Sequence, residues 1–210
     1  MKKRHGSIAL LALLIGSTTT FASDLYIQGS IGKTEAGIDS ISGVSIDESD
    51  TGFSLGVGYK VTDLIAIEGG YRDLGEYKLS ATGSVTGTYL GKPFTASGTV
   101  GVAADAAGFY LGADYSLPVT DKISAHLKAG LFKWESDITG SGSGSLTYDG
   151  TTYASGASLS GSEDGTDLYL GLGADYRLNK NMALGLQWIR FKEIVETDID
   201  VIEATISYTF

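Results

Sequence analysis

Three observations predict an all-β fold. Apolar and polar side chains alternate over segments of about ten residues, short connections take turns with long ones, and no apolar run long enough for a membrane helix follows residue 22. Together they define an eight-stranded antiparallel up-and-down transmembrane β-barrel with short periplasmic turns and long extracellular loops. Composition narrows the function classes. The 210 residues include 30 glycines, two prolines and no cysteine. Glycine at about 14% without a Gly-X-Y period is not collagen. Lack of cysteine excludes a disulfide scaffold, a thiolate metal site and a cysteine nucleophile. With a formal charge of −10, the chain has no basic patch to neutralise phosphates, so nucleic acid is not an expected partner.

Residues 1–22 read as a cleaved signal peptide. Lys2, Lys3 and Arg4 are followed by the apolar stretch Ile8 to Ile15 and by Thr20-Phe21-Ala22, a small-x-small cleavage site. That apolar stretch is too short to span a bilayer. Its removal takes the formal charge from −10 to −13 and leaves 23–210 as the outer-membrane barrel domain.

The first strand, 25–33, sets Leu25, Ile27 and Ile31 against Tyr26, Gln28 and Ser30. The second (about 51–61) opposes Phe53, Leu55, Val57 and Tyr59 to Ser54, Gly56, Gly58 and Lys60. The fourth (107–117) opposes Phe109, Leu111, Ala113 and Tyr115 to Tyr110, Gly112, Asp114 and Ser116. In the sixth, from Asp167 to Leu178, Leu168, Leu170, Leu172, Ala174 and Tyr176 point one way and the intervening residues the other. Segments 64–72, 123–134, 182–191 and 201–210 complete the eight, each as long as a tilted membrane strand. Val61-Thr62-Asp63, Pro118 to Asp121 and Asn179-Lys180-Asn181 are tight turns. The connections 34–50, 73–106, 135–165 and 192–200 are long, rich in Gly, Ser, Thr and acid, and expected to be largely irregular.

Each even strand approaches its short turn, or the terminus, with an aromatic residue on the apolar face: Tyr59, Tyr115, Tyr176 and Tyr208, with Phe210 last. Amphipathic rings favour the membrane boundary, so these form one aromatic girdle. Phe53, Tyr71, Phe109 and Trp188 mark the opposite boundary. The alternating last strand is expected to close against the first and leave no edge in lipid.

The segments Gly58 to Asp63, Glu68 to Gly75, Pro118 to Asp121, Gly130 to Trp134, Gln187-Trp188 and Ile206 to Phe210 carry a family resemblance. In their order and spacing the chain resembles the OmpA-like transmembrane domain over about 23–210. The resemblance implies a Gram-negative outer-membrane location, a pore blocked by inward charges, and insertion by barrel-assembly machinery reading the Phe210 strand. No chain remains here for the peptidoglycan-binding domain that many members carry, so a cell-wall tether by that route is not expected.

Alternation turns Glu68, Arg72, Asp114, His126, Lys128, Asp175, Arg177 and Glu203 inward, where eight strands leave room only for side chains. Glu68, Lys128 and Asp175 match inward charged positions of the family. The match fails at Gly185, where an arginine is expected, and at Asp114, where a lysine is expected. Three acids are then expected to crowd Lys128, which allows at most a narrow, cation-preferring leak. Ser124 and His126 share the inward face, but a crowded lumen near the short turns suits a structural histidine better than a Ser/His/Asp catalyst. No catalytic, cofactor or metal residues are assigned. Lys133, Arg190 and Lys192, near the outer strand ends, are candidates to meet lipopolysaccharide phosphates, against simple snorkelling. The expected role is structural, in outer-membrane lipid. The alternatives are an adhesin or serum-resistance barrel whose loops meet a host or matrix ligand, a narrow channel, and a soluble lipocalin-like barrel, which the girdles argue against.

Overall fold

The computed structural model describes residues 24–38 and 42–210; the signal peptide lies outside them. Nine strands follow in order: β1 (Leu25–Ala36), β2 (Val44–Asp47), β3 (Ser49–Lys60), β4 (Ile65–Tyr89), β5 (Lys92–Pro118), β6 (Ile123–Tyr148), β7 (Thr151–Arg177), β8 (Met182–Ile194) and β9 (Thr197–Thr209). Eight of them close a ring in the order β1, β3, β4, β5, β6, β7, β8, β9, each antiparallel to its neighbours. β9 seals it by pairing with β1 from Tyr26 opposite Thr209 to Ala36 opposite Ile199. Within the ring every backbone ladder is satisfied on both sides, as lipid requires.

The wall is apolar outside. Leu55, Leu111 and Leu186 are 64%, 63% and 62% exposed, which only a lipid solvent makes reasonable. The three short turns share one device. Thr62, Thr120 and Asn179 each use a side-chain oxygen to accept two backbone N–H groups two and three residues on, closing the turn locally.

The long connections depart from expectation. Segments 73–106 and 135–165 are regular strand almost throughout, because β4, β5, β6 and β7 run 25, 27, 26 and 27 residues. They leave the barrel as a four-stranded sheet. Its two hairpins turn on Leu90-Gly91 and Asp149-Gly150, all four at positive φ, as two-residue type I′ turns require. The segment 34–50 holds the end of β1 and all of β2, which flanks β4 from Val44 opposite Ala81 to Asp47 opposite Lys78. Residues 192–200 likewise finish β8 and begin β9 around a tight turn.

One β-bulge explains why alternation breaks after residue 72. The β4–β5 register shifts between Asp73 and Glu76. Gly75 sits there at φ +83, where a Cβ would come within 2.7 Å of the Asp50 side chain. Before the bulge, even-numbered residues face in, ending with the fully buried Leu74; after it the buried Tyr77 faces in.

Candidate functional site

The barrel interior holds three layers. Next to the short turns is an open vestibule of about 620 Å³, lined by Lys60, Asp121, Ser124, His126, Asp175 and Arg177 among others. Above it lies an ion-pair layer. Lys128 Nζ, on β6, donates to both oxygens of Glu68 on β4 at 2.8 and 3.0 Å and to Gln28 at 3.3 Å. Tyr26 donates to Glu68 at 2.5 Å. Arg72 grips Glu203 bidentately at 2.8 and 2.6 Å, and Glu203 also accepts from Ser30 at 2.6 Å and Gln187 at 2.5 Å. A fully donated buried carboxylate of this kind is stable because both charges keep their hydrogen bonds. Between these groups only about 10 Å³ is free, roughly the space of one water.

The structure therefore brings Glu68, Arg72, Asp114, Lys128 and Glu203 together, all buried. It separates two others. Arg177 has inward parity but lies at the rim, exposed, donating to the Asp121 carbonyl at 3.3 Å. The crowding of three acids around Lys128 is also corrected. Asp114 is 3.8 Å from Lys128, while Asp175 lies against His126. His126 stands between the two acids, Nδ1 2.9 Å from Asp114 and Nε2 3.3 Å from Asp175. Gly185 fits this arrangement, since a Cβ there would overlap the Asp175 carboxylate and the Thr205 hydroxyl. With both histidine nitrogens facing carboxylates, Ser124 is not hydrogen-bonded to His126, and no nucleophile–base pair forms between them.

The third layer lies outside the charged interior expected from the sequence. Toward the hairpin end the lumen is apolar, filled by Leu74, Phe132, Trp134, Phe191, Ile194 and Val201, all buried. Phe132 and Phe191 meet edge to face at 5.0 Å, and the Arg72 guanidinium lies 5.4 Å from the Phe191 ring. The sequence signal was available: Phe132-Lys133-Trp134, Ile189, Phe191 and Val201 put bulky apolar residues on the inward parity just where each strand leaves the membrane.

On the outside, Tyr59, Tyr115, Tyr176, Tyr208 and Phe210 all lie exposed at the short-turn end. Tyr208 and Phe210 pack edge to face at 5.3 Å, and Lys122 sits 5.8 Å from the Tyr176 ring. Tyr71 and Phe109 pair at 5.5 Å near the other boundary. Of the three outer cations, Arg190 forks onto Asp200 at 2.8 and 2.6 Å and Lys192 bonds Asp198 at 2.7 Å. Lys133 is exposed and has no acidic partner among the described residues.

Comparison with known proteins agrees with this architecture. The outer membrane protein beta-barrel domain family matches residues 8–210. No curated protein sequence matches the chain. Solved structures to which the chain is similar include Ail, the attachment invasion locus protein of Yersinia pestis, at 14% identity and TM-score 0.39, covering 89% of this chain and 99% of that one. Neisserial surface protein A aligns at 15% and 0.43, over 89% and 97% of the two chains. The N-terminal barrel of Pseudomonas aeruginosa OprF aligns at 11% and 0.47, over 90% and 98%. The ring of eight strands has an apolar exterior and a filled interior, and the chain belongs to the outer membrane protein beta-barrel domain family.

Proposed function

We propose that the chain is an OmpA-like, non-enzymatic barrel of the Gram-negative outer membrane that supports envelope integrity and presents its long hairpins outside the cell. The observation that carries this reading is the closed lumen. Arg72–Glu203 and Lys128–Glu68 fill one level and an apolar layer fills the next, so the lipid-facing wall and the protruding sheet remain as working surfaces. In this reading a cleaved signal peptide exports the chain, and the Phe210 strand is read by the barrel-assembly machinery. Lys133, with Arg190 and Lys192 beside their carboxylates, meets lipopolysaccharide headgroups; replacing all three by glutamine should lower lipopolysaccharide affinity, and unchanged affinity rejects that contact.

The direct test is a strain lacking the chain. It should leak periplasmic protein and become sensitive to detergent, and a copy with both hairpins shortened should restore the barrier. An intact barrier in the deletion strain would contradict an envelope role. Planar-bilayer recording separates the channel alternative, for which the closed reading expects no conductance. The adhesin alternative is favoured by one observation, the exposed apolar face of the protruding sheet. Cell binding that disappears when the hairpins are shortened, with the envelope barrier intact, would support it.

A further inference from the structure

Above the rim, the face of the β4–β7 sheet that continues the barrel interior is apolar and uncovered. Cross-strand rows run Leu79, Val102, Gly140, Leu159 and, nearer the tips, Val85, Ala96, Leu146, Tyr153. Between them lies a smooth row of Gly83, Gly98, Gly144 and Ser155. Leu159 is 77% and Val100 61% exposed. A contiguous apolar surface in water marks an interaction site. Four strands at ~4.8 Å spacing make it about 14 Å wide, and an α-helix with its side chains is about 10–12 Å across.

Charge selects among occupants. None of these rows carries a charge, but acids stand near its base on the β7–β8 side. Glu163 lies at its base on β7, opposite Ser136. Glu193 and Glu196 stand exposed in the β8–β9 turn, on the part of the ring that carries no protruding sheet. Neither these two nor Glu163 has a cationic partner among the described residues. The nearby cations are engaged or turned away: Lys33 pairs with Glu35, Lys78 with Glu76, Lys92 with Asp149, Arg190 with Asp200 and Lys192 with Asp198, while Lys133 lies on the opposite, outer face of β6.

We propose that this face is a docking site for a cationic amphipathic α-helix from a partner polypeptide. The apolar stripe of the helix would lie along Val85, Val100, Val102, Leu146 and Leu159, and its lysines or arginines would meet Glu163, Glu193 and Glu196. A second copy in the same membrane fits less well, because neighbouring barrels meet through their outer walls while this face looks over the barrel's own mouth. An acyl chain would find the apolar rows but no use for the acids. The inference goes beyond the envelope role and stands or falls separately from it.

The test uses the full barrel in zwitterionic phospholipid nanodiscs, with empty nanodiscs as the blank. The probe is a fluorescent synthetic peptide of leucine and lysine arranged as an amphipathic helix. Saturable one-to-one binding is expected. Val100→Ser with Leu159→Ser should weaken it roughly tenfold. Glu163→Gln, Glu193→Gln and Glu196→Gln together should weaken it severalfold, most at low salt. All five positions carry exposed side chains, and heat-modifiable gel mobility checks that each variant keeps its barrel. The proposal is overturned if a scrambled peptide of the same composition binds equally well or if the serine pair changes nothing. Complete displacement by an uncharged lysolipid, or a dimer that occupies the face, overturns it as well.

Discussion

Strand β5 lives in two solvents and changes its pattern between them. In the barrel wall it turns Phe109, Leu111 and Ala113 outward and Tyr110, Gly112 and Asp114 inward. Above the rim the same strand turns Thr95, Ser97 and Thr99 outward and Ala96, Val100 and Val102 to the inner side. β6 and β7 do the same, with Ser141, Ser143 and Ser145 and with Ser158, Ser160 and Ser162 on the outer face. The pleat is continuous, yet the apolar side switches. The difference shows that alternation by itself reports only a two-faced strand; which face is apolar depends on whether lipid or water lies outside.

The largest effects should come from the interior that both regions share. Arg72→Ala strands the buried Glu203 carboxylate and should cost about 3–5 kcal/mol in urea unfolding from lipid vesicles. Phe132→Ala empties part of the apolar layer, where Phe132 is fully buried, and should cost a similar ~3–5 kcal/mol. A wild-type midpoint for either variant would mean the layers are not packed as described.

Next come substitutions that contrast the two outer faces. Leu111→Arg on the lipid face should cost about 2–4 kcal/mol, whereas Ser143→Arg on the outer face of the sheet should stay within about 0.5 kcal/mol. Equal penalties would erase the distinction between wall and sheet.

Smaller still is the effect of the joint between the regions. Gly75→Ala forces a Cβ onto a left-handed backbone and against Asp50. It should cost about 1–2 kcal/mol, read as loss of protection from proteolysis in the β4–β5 hairpin while the barrel keeps its gel mobility.

The smallest effect is electrostatic. Asp105 and Asp137 are paired across β5 and β6 on the outer face, and partial desolvation together with the Asp137 charge pushes the Asp105 carboxyl above its usual range. A raised folded-state pKa stabilises below the unfolded value and is lost as pH rises through the folded one. Protection from hydrogen exchange in the protruding sheet, taken relative to the base-catalysed intrinsic rate at each pH, should therefore be greatest in mild acid and fall toward neutrality. Asp105→Asn should flatten that dependence; an unchanged profile would reject the pairing.

The membrane part was readable because each feature there has one cause. Leu168, Leu170 and Leu172 alternate with Tyr169, Gly171 and Gly173, which marks a two-faced strand, and the aromatic residues at both ends of the apolar face assign that face to lipid. Glu68, Arg72, Lys128 and Glu203 were placed inward by the same count, and the ion pairs followed. Arg177 failed because parity gives the side but not the height, and it stands past the end of the packed layer. The protruding sheet reads as loop in the sequence for two reasons. Its Ser, Thr and Gly composition matches that of unstructured segments, and the Leu74–Gly75 bulge shifts parity by one just where β4 leaves the membrane. The engagement of Asp175 by His126 is a matter of side-chain reach across β6 and β7, which spacing along one strand does not encode.

The switch of faces along β5 can be measured directly, because the chain contains no cysteine to interfere. Single cysteines at Leu111, Ala113, Ser97 and Thr99 would carry an environment-sensitive fluorophore in bilayers with and without brominated lipid. All four positions lie on the outer face. The account predicts strong quenching at 111 and 113, and none, with water-like emission, at 97 and 99. Lipid quenching at all four positions, or at none, would contradict it.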